Sequence, residues 1–327
     1  MSVWRSARQR ILTPDVAQTK VSVRGFHSKS EAAVDRLETV GESFLAGYAA
    51  AAGAARPGDI VPALDPLPPL WRGFAYEGAG MALGILDGLP GRGGRVAELL
   101  EGAGDRHVYM VYVGLGWAMA RLPKFRWSVL HAPDPLLRWL VLDGYGFHQA
   151  YFHTQRYVVE QYQPVRFAWP SDGPSWHAAQ VIDQGIGRAS WFVGGTDPDR
   201  VAAIITSFPE HRQADLFAGA GLAATYAGGV ERAELEHFAA LAGPHLSRVA
   251  QGAAFAAEAR LRAGLVVPHN ELATEIFCGA TVAEAAAATQ DARAGLIDDA
   301  STPSFLTWRN RIADAFAAHT SAARAGR

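Results

Sequence analysis

Small and bulky positions follow each other along this chain in a pattern that keeps returning. The stretch from 76 to 89, YEGAGMALGILDGL, shows it most fully. Its core recurs as VGESF at 40, EGAGM at 77, VGLGW at 113, DGYGF at 143, QGIGR at 184, AGAGL at 218, QGAAF at 251 and CGATV at 278. Aligned on Gly41, Gly78, Gly114, Gly144, Gly185, Gly219, Gly252 and Gly279, the steps are 37, 36, 30, 41, 34, 33 and 27 residues. An irregular period of this size suits an array of helical hairpins. Two residues after the anchor every copy is small, as at Gly80, Gly116, Gly146, Gly187 and Gly221. Three and seven residues after it the copies are mostly bulky, as at Trp117, Phe147, Tyr151 and Tyr226, and that spacing is one helix face. A glycine inside a helix costs about 1 kcal/mol relative to alanine. Close approach of neighbouring helices over the small columns is the simplest compensation, so these five glycines are expected at tight helix contacts.

The same glycines invite a rival reading. GAGLAA at 219–224 fits a dinucleotide fingerprint, but such a motif follows a strand and occurs once per binding unit. Here it recurs, and no copy follows a convincing strand, so no cofactor is expected. Helix starts are signalled at Asp134-Pro135, Asp197-Pro198 and Thr302-Pro303. The last opens an amphipathic helix with Phe305, Trp308, Ile312 and Phe316 on one face, suited to cap an end of the array. Segments 55–73, 90–95 and 164–177 read as loops, and the aromatics of the last suit either a lid over a groove or a pinned connector. The expected fold is all-α, a helical-hairpin array resembling tetratricopeptide-type α-solenoids and able to close around a central cavity. Residues 1–28 form a basic N-terminal arm and 29–327 a single helical-repeat domain.

Composition narrows the partners. The 327 residues carry a formal net charge of −2 and no long run of cations, which argues against nucleic acid. One cysteine, Cys278, excludes a disulfide framework and fits a cytoplasmic protein. No stretch is apolar for long enough to span a bilayer, although the basic arm offers a peripheral contact for a membrane or partner.

The candidate chemistry sits just before the anchor glycines, where Glu77, Asp143 and Gln184 are polar on otherwise apolar helices, with Asp183 beside the last. If the repeats stack with one face inward, these residues line a groove as carboxylates able to give or take protons, or form a network that fixes helix register. The fourth copy, LDGYGFHQAYFHTQRYVVEQYQ, adds His148, His153 and Tyr151. His148 and His153 are five apart, whereas a helical metal pair is spaced by three or four, so no metal is expected. Glu77, Asp143, His148 and Asp183 are the catalytic candidates. Trp117, Phe147, Tyr151, His153, Tyr112, Trp191 and Tyr226 are the candidate walls of a site for an apolar, unsaturated small molecule.

The blocks GFAYEGAGMAL, RHVYMVYVGLGWAMARLP, DPLLRWLVLDGYGFHQAYFHTQRYV, DQGIGRASWFVGG, ADLFAGAGLAATYAGG and QGAAFAAEAR resemble the UnbL-type enediyne biosynthesis proteins, a bacterial family of unknown function. The resemblance covers nearly the whole chain. It implies a place in enediyne or other polyketide-type biosynthesis, since members are encoded beside the iterative synthases that make enediyne cores. It assigns no catalytic residue. Two functions follow as expectations: a cyclase or isomerase acting on a polyene or isoprenoid-like intermediate by acid/base chemistry, or a non-catalytic scaffold or carrier that holds such an intermediate or docks a pathway enzyme. A closed, ligand-sized cavity favours the first and an open concave face the second.

Overall fold

The computed structural model describes residues 3–91, 93–167, 169–171, 173–297, 302–319 and 321. All regular structure among them is helical. Sixteen α-helices follow in order: α1 (Val3–Leu12), α2 (Val21–Arg24), α3 (Glu31–Gly53), α4 (Val61–Leu64), α5 (Pro69–Gly88), α6 (Arg95–Leu100), α7 (Val108–Arg121), α8 (Leu140–Phe152), α9 (Ser175–Val193), α10 (Pro198–Thr206), α11 (Glu210–Ala227), α12 (Arg232–Ala242), α13 (Leu246–Arg262), α14 (Pro268–Cys278), α15 (Val282–Asp291) and α16 (Ser304–Ala315). No helix among the described residues is long and apolar enough to cross a membrane.

The glycine motifs lie on α5, α7, α8, α9, α11 and α13, and each of these helices packs on the next, with α3 before them and α15 after. Gly80, Gly84 and Gly88 of α5 meet Val111, Leu115 and Leu122 in that order, so α5 and α7 run parallel. Parallel neighbours need a return path, which short elements such as α6, α10, α12 and α14 supply. The glycines are required by the contact itself. A Cβ on Gly80 would lie 2.7 Å from the carbonyl oxygen of Val111, and Cβ atoms on Gly116, Gly146, Gly187 and Gly221 would likewise collide with the carbonyls of Val141, Ile182, Leu216 and Val249. Each anchor glycine repeats this against the helix before it: Gly114 on Glu77, Gly144 on Val113, Gly185 on Asp143, Gly219 on Gln184 and Gly252 on Ala218. Backbone is in contact with backbone, and any side chain would force the helices apart.

Both ends of the expected repeat are corrected. Gly78 meets the carbonyl of Phe44, and Gly47 meets that of Ala75, so the first copy is centred on Leu45 rather than Gly41. Gly41 instead packs under Thr19. Gly279 lies outside any helix and ends α14 with φ +63°. The Asp134 carboxylate accepts from the N–H groups of Leu136 and Leu137 ahead of a 3-10 turn, and α8 begins only at Leu140, whereas Asp197-Pro198 and Pro303 do open α10 and α16.

The N-terminal segment is docked on the body. The Arg8 guanidinium donates to the carbonyls of Ala52 and Ala54, Lys20 Nζ lies 2.8 Å from both Glu38 and Glu42, and the His27 N–H donates to the Val193 carbonyl. It therefore runs back along α3, from its C-terminal end at Ala52 to Glu38, and on to the C-terminal end of α9. At the other end of the chain, α16 buries Phe305, Trp308 and Ile312 against α13 and α15. The row also returns on itself: Arg260 near the end of α13 donates to the carbonyls of Pro69 and Leu70 at the start of α5, and Lys29 pairs with Glu234 of α12 at 2.5 Å.

Candidate functional site

The glycine contacts dictate which side chains converge. An anchor touches the preceding helix and the residue two further on touches the following one, positions about 200° apart on a helix. The residues one before, three after and seven after the anchor fall within the remaining arc of about 160°. Those columns therefore share one side of the row of helices.

A cavity of about 360 Å³ occupies this side. Its walls include Phe44 and Leu45 of α3, Phe74 and Met81 of α5, Trp117 of α7, Phe147, His148 and Tyr151 of α8, Phe192 of α9 and Leu222 and Tyr226 of α11. Trp117 holds the aromatic wall together, its ring centroid 4.4 Å from Phe44 and 5.3 Å from Phe147. Pro14, Asp15, Gln18 and Thr19 close the top, and the exposed Arg121, last residue of α7, stands at the rim. The opposite side is filled by α16, whose Phe305 stacks near Trp139 and His177, toward the N-terminal ends of α8 and α9.

The floor is an ion cluster. Arg188 of α9 forms a close ion pair with Asp143 of α8, and its other terminal nitrogen is 3.8 Å from Glu77 of α5. Gln184 donates to Asp143 at 2.7 Å. Asp143 is thus wholly buried and paired, while Glu77 and Arg188 line the cavity. Burial pushes the Glu77 carboxyl up to about 7; Arg188 pulls it down and Asp143 pushes it further up. Burial lowers His148 to about 3, with Arg121 adding to the effect, so its imidazole is neutral. Burial also raises the Tyr226 hydroxyl. Both ring nitrogens of His148 and the Tyr226 hydroxyl make no hydrogen bond, and the Trp117 indole N–H lies beside Glu77 but outside bonding geometry. An unpaired buried polar group costs about 1–3 kcal/mol, and several together around one cavity mark a place built to receive polar atoms of something else.

Residues 3–316 match the family described as "Protein of unknown function (DUF1702)". The chain belongs to that family. The match takes in the N-terminal cover as well as the whole row of helices. No curated protein and no solved structure is similar to it.

In this DUF1702 protein the expected site residues divide into those that line the cavity and those that do not. Glu77, His148, Trp117, Phe147, Tyr151 and Tyr226 line the cavity. Asp143 does not: it is the counter-ion of Arg188, sealed beneath it, and is unsuited to exchange protons with a ligand. Asp183 and Tyr112 stand two residues before their anchors, which turns them to the far side. There Asp183 is held by two nitrogens of Arg212, and the Tyr112 hydroxyl accepts from the Asp134 N–H. Trp191 points away too, donating to the Gly228 carbonyl and packing on Phe238. His153 lies past the end of α8, exposed beside Arg24 and Arg156 in a separate surface hollow. Segment 164–177, of which 168 and 172 fall outside the described residues, is a connector: Phe167 stacks on Trp127 at 5.1 Å, and none of its described residues lines the cavity. Arg188, Arg121, Phe44 and Phe192 were missed, and of these Arg188 is the one in the floor. Its signal was a lone cation in a column of bulky apolar residues. The segment that closes the cavity, 14–19, carries no comparable signal. Among the described residues no three His, Cys, Asp or Glu side chains converge as metal ligands.

Proposed function

We propose that the chain is a helical-repeat array wound around an apolar, unsaturated intermediate of natural-product biosynthesis, and that it promotes cyclisation of that intermediate by proton transfer. The observation that carries this reading is Glu77, a carboxyl with a pKa of about 7 on the wall of an aromatic cavity. Protonated Glu77 gives its proton to a double bond of the ligand; a C–H bond forms and the π electrons leave a carbocation. Arg188, 3.8 Å away, neutralises the new carboxylate. The rings of Phe44, Trp117, Phe147 and Phe192 stabilise positive charge as it moves. Ring closure consumes a second double bond, and neutral His148 accepts the proton lost when the final cation becomes an alkene, so the product is an isomer of the substrate. The resemblance to UnbL-type proteins supports an enediyne or other polyketide-type pathway, and the single cysteine supports a cytoplasmic setting.

The test is Glu77→Gln in a host lacking the native gene. The variant is expected to fold and to yield no cyclised product. Wild-type output from the folded variant refutes proton transfer by Glu77 and leaves the carrier reading, in which the same cavity only shelters an intermediate.

A further inference from the structure

The two ends of the cavity differ in charge. At the floor the Arg188 guanidinium is already paired with Asp143 and faces Glu77, so one cation meets two carboxyls and nothing is left to hold an anion. At the rim, Arg121 lines the cavity, is exposed, and pairs with no carboxylate among the described residues. It stands one turn above Trp117 on the same face of α7. Asp15, which lines the cavity at this end, uses Oδ1 to accept from the Ala17 N–H at the start of the covering turn and forms no ion pair with Arg121. Lys20 is occupied by Glu38 and Glu42. From the level of Glu77, one before its anchor, to that of Arg121, seven after, is about 12 Å along the helix axes.

We infer that the ligand is an amphiphile with an anionic head, carboxylate or phosphate, bound tail first: the head stays at Arg121 and the far end of the hydrocarbon lies against Glu77. This rests on the reading of the cavity as a ligand site and adds its polarity. Tail-first entry also places the proton of Glu77 at the end of the chain remote from the head, so any double bond protonated there is the terminal one.

The probe is cis-parinaric acid, a straight-chain conjugated tetraene acid whose fluorescence rises on binding, compared with its methyl ester on the full chain. The acid is expected to bind roughly five-fold tighter than the ester, the size of one exposed charge contact. Arg121→Gln is expected to remove that preference, and Glu77→Gln to leave it unchanged, because Glu77 meets only the tail. Displacement of the acid by dodecanoate and by dodecyl phosphate shows which head the rim prefers, and tighter displacement by dodecanol than by both overturns the inference. So does an ester that binds as well as the acid, or a preference altered by Glu77→Gln but not by Arg121→Gln, which describes a head at the floor. If neither acid nor ester binds, the cavity reading falls and this inference falls with it.

Discussion

Replacing Glu77 by glutamine tests the electrostatics of the floor independently of any substrate. The folded carboxyl titrates at about 7 against an ordinary value of 4.5, because burial penalises its charged form. Between those values the folded state holds a proton that the unfolded state has lost, so stability falls as pH rises and levels off above 7. Integrated from pH 5 to pH 8, the two titrations cost the wild type about 2.5 kcal/mol. Glutamine does not titrate and leaves Arg188 paired with Asp143. Every other group is common to both proteins, so the difference between their pH profiles isolates this carboxyl. At about 2 °C per kcal/mol for a chain of this size, the wild-type melting temperature should drop roughly 5 °C further than that of the variant over this interval. Thermal melts followed by far-UV circular dichroism at several pH values measure it. Parallel profiles would show a carboxyl with an ordinary pKa and remove the physical basis for Glu77 as a proton donor at neutral pH.

Further outcomes follow from the same contacts. Gly116→Ala gains about 1 kcal/mol of helix propensity but drives a Cβ into the Val141 carbonyl and to 2.7 Å from the Gly144 carbonyl carbon, so a net loss of about 1–3 kcal/mol is expected in chemical denaturation. Asp143→Asn leaves Arg188 without its close partner in the interior and should cost about 3–5 kcal/mol, far more than an exposed pair would, which a urea melt will show. Tyr226→Phe removes a buried hydroxyl that has no partner and should leave the melting temperature unchanged or raised; a ligand that binds more weakly to this variant identifies the hydroxyl as part of its site.

How much of this was legible in the sequence depends on where backbone touches backbone. The small columns were readable because a carbonyl lies where a Cβ would be, which leaves glycine almost no substitute at Gly116, Gly146 or Gly187. The first copy was misplaced by one turn for the same physical reason. An anchor glycine exists to receive the helix before it, and α3 has no such helix in the row, so Leu45 is tolerated and only Gly47, facing α5, must be small. Gly41 answers to a different contact, Thr19 of the covering segment. The cavity wall was legible where the column rule held, as at Trp117, Phe147 and Tyr226, and failed where chemical type was followed in place of column, as at Asp183, Tyr112 and His153. The cover could not be read at all, since Pro14 to Thr19 owe their place to contacts with distant residues.

The polar column just before the anchors shows why burying acids here is tolerable. Gln184 and Asp143 belong to neighbouring helices, and the carbonyls of both residues are the ones that Gly219 and Gly185 approach. Their backbones are therefore fixed by close helix contacts, and both side chains are buried. Arg188, four residues beyond Gln184 and thus one turn along the same face, reaches back to the same carboxylate. Asp143 is satisfied by this arrangement, and Glu77 is not: it shares the guanidinium at 3.8 Å, a distance that steadies a carboxylate without fully compensating its burial. A register-fixing network would have no reason to leave one member half-served beside an open volume. The asymmetry separates an acid that the network satisfies from one whose carboxyl burial pushes up, and it is the second that faces the cavity.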